Sequence, residues 1–373
     1  MIKNNFNDNF WISGNGKDFI EWSGIKTTPG NYSTNLFYSY DDKVEVLVEK
    51  WLKNGDFKSI IKSLHASNDS VNLPDDYLQL KKELEEVPAW LDKDLLKLGC
   101  ELSERSGLMA LLVLRNFALL GGYNFANLTK PLVATGALEK GAVHRLHNTL
   151  SFWVNVSRTD TDSQKKRMDA CIRIRLIHCA SRLMIQQKHP NWETEKYGTP
   201  INHADMIATH TAFTIYYLYG LSKLNFKYSN SEERAVFHLW KYLTYLLGVP
   251  DDIIPENKEE ALSFFKFWTE YQNKPDEDAL KLTSSLLNEN TPVNILKLDI
   301  VKKNMGYIHK SIANYLIDYD IKKNLEIPVI RFKNLIPTAI KIKNELSFNR
   351  EKQISKGNTH QISVLNDYKN NIT

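Results

Sequence analysis

The run "CIRIRLIHCASRLMI", residues 171–185, reads as a helix, and it carries His178 with Arg175 three residues before it and Arg182 four residues after it. At about 100° per residue, His178 shares one side with Cys171, Ile174, Arg175, Ser181, Arg182 and Ile185. The other side presents Ile172, Leu176, Ala180 and Leu183. Both sides are largely apolar, so the helix is expected to be central. Two guanidiniums in such a place require an anion to offset their desolvation. Flanking positive charge favours the neutral imidazole, which is the form that binds a metal. Heme answers both demands, because its iron takes a neutral histidine and its propionates accept bonds from arginines. The competing reading is a core histidine between two arginines that pair with carboxylates of neighbouring helices.

Other constellations are weaker. His144 and His147 stand i, i+3, and His203 and His210 stand i, i+7. Together they could build a non-heme iron or zinc site, although no Glu-x-x-His pair supports a di-iron bundle. The cysteines Cys100, Cys171 and Cys179 lack zinc-type spacing and read as buried, inert thiols of a reducing compartment. No Walker loop, dinucleotide fingerprint or nucleophile elbow occurs.

The elements that must position these residues are helical. Val44, Leu47, Val48, Trp51 and Leu52 follow "YDDK", whose aspartates are expected to cap a helix. A second helix fits 74–87, with Trp90 and Asp92 marking the start of the next. Long periodic segments cover about 93–121, 138–156, 164–188, 202–223, 231–247, 256–274 and 276–289, and period-two alternation is scarce. The fold class is therefore all-α. The chain is divided as 1–87, a helical extension; 88–290, the core; 291–345, further helices; and 346–373, a polar tail expected to be poorly ordered.

Composition narrows the partners. Of 373 residues 42% are hydrophobic and 25% charged, and the formal net charge of +4 is spread without a basic stripe, which argues against nucleic acid. The N-terminal residues show no apolar secretory region, and "GLMALLVLRNFALLGG", 107–122, is interrupted by Arg115 and Asn116. It reads as a buried core helix without stable membrane insertion, in a cytoplasmic protein.

Five segments in order give a resemblance. "IRIRLIHCASR" (172–182), "VPAWLD" (87–92), "LVATGALEKGAVHRLHNT" (132–149), "YGTPINHADMIATHTAF" (197–213) and "HLWKYLTYLLGVPDDIIP" (238–255) resemble segments of the latex clearing protein and MpaB-type rubber oxygenase family. The resemblance covers roughly 88–290. It implies a globin-like helical core enclosing heme b, and dioxygen-dependent cleavage or oxygenation of an alkene or isoprenoid-like apolar substrate, with an electron donor as a further partner. Carried onto these residues, it implies His178 as the iron ligand and Arg175 and Arg182 as propionate partners. Met206 and Thr209 would line the heme pocket. Arg145, Asn148 and Thr149, in "RLHNT", would form the distal side, with His144 facing the same space. The family's lysine is replaced by Asn148, a poor iron ligand, and no carboxylate in "FANLTK" (125–130) matches the family's proposed base. These departures keep a second expectation open, a heme-binding sensor or carrier without turnover.

Overall fold

The architecture follows the helical periodicity closely. A computed structural model describes residues 1–373 apart from 2, 4–5, 27–29, 65–72, 295–303, 347–348 and 373. The described residues contain no strand. The first 87 residues hold α1 (Asp8–Ile12), α2 (Asn15–Ser23), α3 (Asp42–Asn54), α4 (Phe57–Ser63) and α5 (Asp75–Glu85). The middle of the chain holds α6 (Lys93–Val113), α7 (Leu120–Gly122), α8 (Ala126–Ala134), α9 (Ala137–Val156), α10 (Ser163–Lys188), α11 (Thr194–Tyr197), α12 (His203–Thr211), α13 (Tyr217–Lys223), α14 (Asn230–Leu246), α15 (Lys258–Thr269) and α16 (Glu277–Asn288). The last described helices are α17 (Met305–Leu316), α18 (Tyr319–Asn324), α19 (Leu335–Leu346) and α20 (Arg350–Asn370).

Side-chain caps set several helix starts. Asp92 accepts from the backbone N–H groups of Asp94 and Leu95 at the head of α6, and Asn202 accepts from that of Asp205 at the head of α12. Each satisfies donors that the first turn leaves unpaired. Ser229 and Glu232 form a reciprocal capping box on α14. Asp41 occupies the cap position of α3 but makes no side-chain cap bond. Its carboxylate is taken by Arg175 instead.

Two long periodic segments each contain one wide π turn, Leu114–Leu119 between α6 and α7 and Ala212–Tyr216 between α12 and α13. The turns face each other, with the Phe117 and Tyr216 rings 4.7 Å apart. The first turn brings Arg115 and Asn116 into the core, where Arg115 meets the buried Glu289 at 2.8 Å. No single helix among the described residues is long and apolar enough to cross a membrane. Segment 107–122 lies inside the protein, with Leu111, Val113, Leu114 and Phe117 buried.

Two apolar clusters organise the packing. The larger spans most of the chain and takes Phe10, Phe19 and Phe37 from the N-terminal residues. The smaller joins Val44, Val48 and Trp51 of α3 and Tyr77, Leu80 and Leu84 of α5 to Ile172, Leu176 and Cys179 of α10. The N-terminal residues are thus built into both clusters rather than appended to the core.

The polar tail is not poorly ordered: Arg350–Asn370 form a helix laid against α6. Its inner face is Gly357, Gln361, Val364 and Tyr368, residues at helical spacing whose mixed chemistry hides the pattern from a hydrophobicity reading. The helix axes approach closely at Gly107 and Gly357. A Cβ on Gly357 would lie 1.9 Å from the Glu104 carbonyl oxygen, and Gly107 adopts φ +50°. Gln361 then donates to the Ser103 carbonyl at 2.9 Å, which satisfies a buried polar side chain.

Candidate functional site

Helix α10 separates the smaller apolar cluster from a cavity. Ile172, Leu176 and Cys179 face the cluster, while Ile174, Ile177, His178 and Ser181 face the cavity. The cavity measures about 440 Å³, within the range of roughly 300–1,000 Å³ typical of ligand pockets. Its other walls come from Leu128 and Leu132 of α8, Asn148, Thr149 and Phe152 of α9, Asp205, Met206, Thr209 and His210 of α12, and Trp240 and Thr244 of α14. The Phe213 and Trp240 rings stack on this wall, 4.2 Å between centroids and 10° apart in plane.

His178 is half-buried, and its Nδ1 is sealed from solvent without a hydrogen-bond partner. Burial, aided by the nearby Arg182 charge, draws its pKa down to about 4. The imidazole is therefore neutral near pH 7, with a lone pair free for a ligand. An unpartnered ring on an apolar cavity fits a metal-bearing macrocycle.

The two arginines do not complete that picture. Arg175 donates to Asp41 through Nε (2.5 Å) and a terminal nitrogen (2.8 Å). Arg182 donates to Glu45 at 2.5 Å and to the carbonyls of Pro200 and Ile201 at 2.9 Å each, with its guanidinium 4.5 Å over the Tyr40 ring. Both charges are neutralised by the N-terminal helix α3, as the competing sequence reading had it, so neither is free for a propionate. Arg175, Arg182 and His203 instead line a crevice of about 10 Å³ beside His178.

On the distal side the structure brings Asn148 and Thr149 to the cavity wall but leaves Arg145 and His144 off it. His144 bonds Asn148 through Nδ1 at 3.1 Å. Arg145 lies 5.3 Å over the Tyr123 ring, its guanidinium nitrogens buried without a hydrogen-bond partner. Met206 and Thr209 line the cavity, although the Thr209 hydroxyl turns back to the Asp205 carbonyl at 2.9 Å. No group of three or more His, Cys, Asp or Glu side chains suited to a metal ion occurs among the described residues. The pairs His144/His147 and His203/His210 therefore assemble no non-heme centre. The Cys171 and Cys179 thiols are buried, with pKa values pushed up to about 12 by desolvation.

Residues 106–332 match the family described as "ER-bound oxygenase mpaB/B'/Rubber oxygenase, catalytic domain". The chain belongs to this family. Among its relatives, the rubber oxygenase of Streptomyces sp. (strain K30) is 21% identical over 234 residues, 60% of this chain and 56% of that protein. The chain thus spans little more than half the length of that curated relative. The solved structure of latex clearing protein in the closed state superposes with a TM-score of 0.69 at 16% identity, covering 88% of this chain and 92% of that one. The likeness establishes a shared all-helical fold, as the sequence led us to expect. The family match begins about 20 residues after the start of the 88–290 range of the resemblance and runs about 40 residues past its end, through α17 and α18.

Within this rubber oxygenase-type fold the sequence reading missed Asp205. Its carboxyl lines the cavity and accepts from Trp268 Nε1 at 2.9 Å and Asn202 Nδ2 at 2.8 Å. The Asn202-x-x-Asp205 cap pattern was the available signal; the partner Trp268, on α15, was not. Burial raises the Asp205 pKa from 3.8 to about 7 against these two donors. The native state then holds a proton that the unfolded chain releases between pH 3.8 and about 7. That contribution to stability is complete at low pH and is lost as pH rises through about 7. His178 and His210, drawn from 6.5 to about 4, act oppositely and lose stability as pH falls. The difference in unfolding free energy between wild type and Asp205→Asn should therefore decline as pH rises from 3.8 to 7. Denaturant unfolding at stepped pH measures it, and a flat difference would count against a retained proton.

Proposed function

We propose that this chain is a heme b-dependent oxygenase that uses dioxygen on a small apolar alkene or isoprenoid-like substrate. The observation that carries the reading is His178, neutral, without a hydrogen bond and set on the wall of an apolar cavity, in a chain of an oxygenase catalytic-domain family. His178 would hold the iron, with Met206 and Thr209 against the macrocycle. Bound heme would supply dioxygen binding and activation. The chain's own residues do the rest. Leu128, Leu132, Phe152, Phe213 and Trp240 keep the space dry and bind apolar substrate by burial. Asn148 and Thr149 offer polar groups on the same wall, and Asp205 holds a proton near neutral pH. Arg145 supports the distal helix through Tyr123 rather than touching substrate.

Titrating the purified protein with hemin, followed by oxygen-electrode assays with short polyisoprenes and other alkenes, tests the reading. A Soret band at one heme per chain with alkene-dependent oxygen uptake is expected. Heme binding without uptake would favour a sensor or carrier. Absence of a Soret band would end the heme assignment.

A further inference from the structure

A second cavity, of about 280 Å³, lies among α6, α9, α17, α19 and α20. It shares no lining residue with the cavity at His178. Helix α9 borders both, with Leu150 on this one and Thr149 and Phe152 on the other. Leu108, Leu112, Leu150, Ile308, Ile340 and Val364 give it apolar walls. An apolar cavity of roughly 150 Å³ stays dry and takes up benzene, and this one is nearly twice that size. On the same scale it holds roughly eleven carbon atoms.

One polar group on these walls has its hydrogen-bonding state fixed by its neighbours. His309 of α17 lines the cavity and is 3% exposed. Arg115, which can only donate, donates through a terminal nitrogen to Asn116 Oδ1 at 2.6 Å. Asn116 Nδ2 donates to the Leu112 carbonyl at 2.9 Å, and this same amide nitrogen faces His309 Nδ1 at 3.2 Å. Nδ1 must then accept, so the ring proton sits on Nε2. That N–H is buried without an acceptor, a state that native interiors rarely leave unanswered. Burial, aided by the Arg115 charge, holds the ring's pKa well below 6.5, and the imidazole stays neutral.

The other buried polar groups on the wall are already engaged. Each guanidinium nitrogen of Arg115 has a partner in Glu289, Asn116 or the Leu286 carbonyl, and Tyr368 donates to Glu289 at 3.2 Å. Among the described residues, the buried end of the cavity therefore offers no free cation for a carboxylate and one spare donor. A carbonyl oxygen meets that donor and brings no donor of its own that must be paired. We propose that this cavity is a second ligand site, which takes a small, neutral, apolar ketone or aldehyde with its oxygen on His309 Nε2. The proposal goes beyond the oxygenase reading and stands without it.

Titration calorimetry of the full chain with butyrophenone and with butylbenzene, which lacks the carbonyl, tests this, and the infrared carbonyl stretch of the bound ketone gives a second readout. Wild type should bind one butyrophenone per chain, more tightly than butylbenzene. His309→Phe, which keeps a planar ring and removes the N–H, should weaken the ketone about fivefold and leave butylbenzene within about twofold. The bound carbonyl should stretch at lower frequency in wild type than in His309→Phe. Ile340→Trp, which fills the cavity from one wall, should lose this binding. Ala339→Phe, at an exposed position of the same wall, repeats that test should the larger change fail to fold. No binding by wild type, equal binding when the cavity is filled, or unchanged ketone affinity in His309→Phe would overturn the proposal. So would binding of phenylbutyrate alone that disappears in Lys343→Gln, because Lys343 is the exposed cation on the cavity's edge and the site would then be one for an acid.

Discussion

Replacing His178 with alanine should weaken heme retention by more than about 100-fold, because losing even a supporting partner of a metal ligand costs roughly 10–100-fold and this change removes the donor itself. The fold should hardly notice. His178 Nδ1 already lacks a partner, so truncation strands no other polar group, and the usual penalty for an unsatisfied neighbour does not arise. Asn148→Ala serves as the paired control. Its amide contacts His144 at 3.1 Å, at a position both solvent-exposed and on the cavity wall, and because it is a poor iron ligand heme retention should stay within about twofold of wild type. Absorbance titration with hemin reads both variants. Equal losses would mean that the iron-holding side of the cavity has been assigned to the wrong helix.

Arg182→Ala should be the more damaging change to the protein itself. The side chain is 3% exposed and its partner Glu45 is 9% exposed. Burial already pushes the Glu45 pKa up, and the Arg182 hydrogen bond opposes that rise. Removing the guanidinium leaves a buried carboxyl and two carbonyls, those of Pro200 and Ile201, without their donor. Breaking one side of a buried pair costs about 3–5 kcal/mol, whereas replacing both partners by apolar residues of similar volume is often neutral. Chemical denaturation of the heme-free protein should show that loss for Arg182→Ala and most of it recovered in Arg182→Met/Glu45→Leu. If Arg182 instead served a propionate, the heme-free protein would keep its stability and only heme affinity would drop.

That contrast shows what was legible in the residues. The helical segments were, because apolar side chains repeat at helical spacing through α3, α6, α9, α10, α12 and α14. The place of His178 was also legible, since apolar residues on both sides of α10 require packing on both. The arginines' partners were not. Asp41 and Glu45 lie well over 100 residues away in the chain, and a helix-capping pattern in "YDDK" offered a local use for Asp41 that the tertiary structure overrides. Asp205 was missed because its environment comes from Trp268 on another helix. The C-terminal helix was missed because glycine, glutamine and tyrosine make its buried face, and a close crossing selects small and hydrogen-bonding residues over greasy ones.

The Gly107–Gly357 crossing also bears on how the chain is made. Gln361 and the Gly107 carbonyl it reaches are 254 residues apart. At about 5–20 residues per second, the partner of α6 leaves the ribosome roughly 10–50 s after α6 does. For that interval a central helix has its glycine notch and its Ser103 carbonyl without their mate, and pairing so distant in sequence is slow to form. Nascent chains should therefore stay protease-sensitive around Gly107 until α20 has emerged, and then become resistant abruptly.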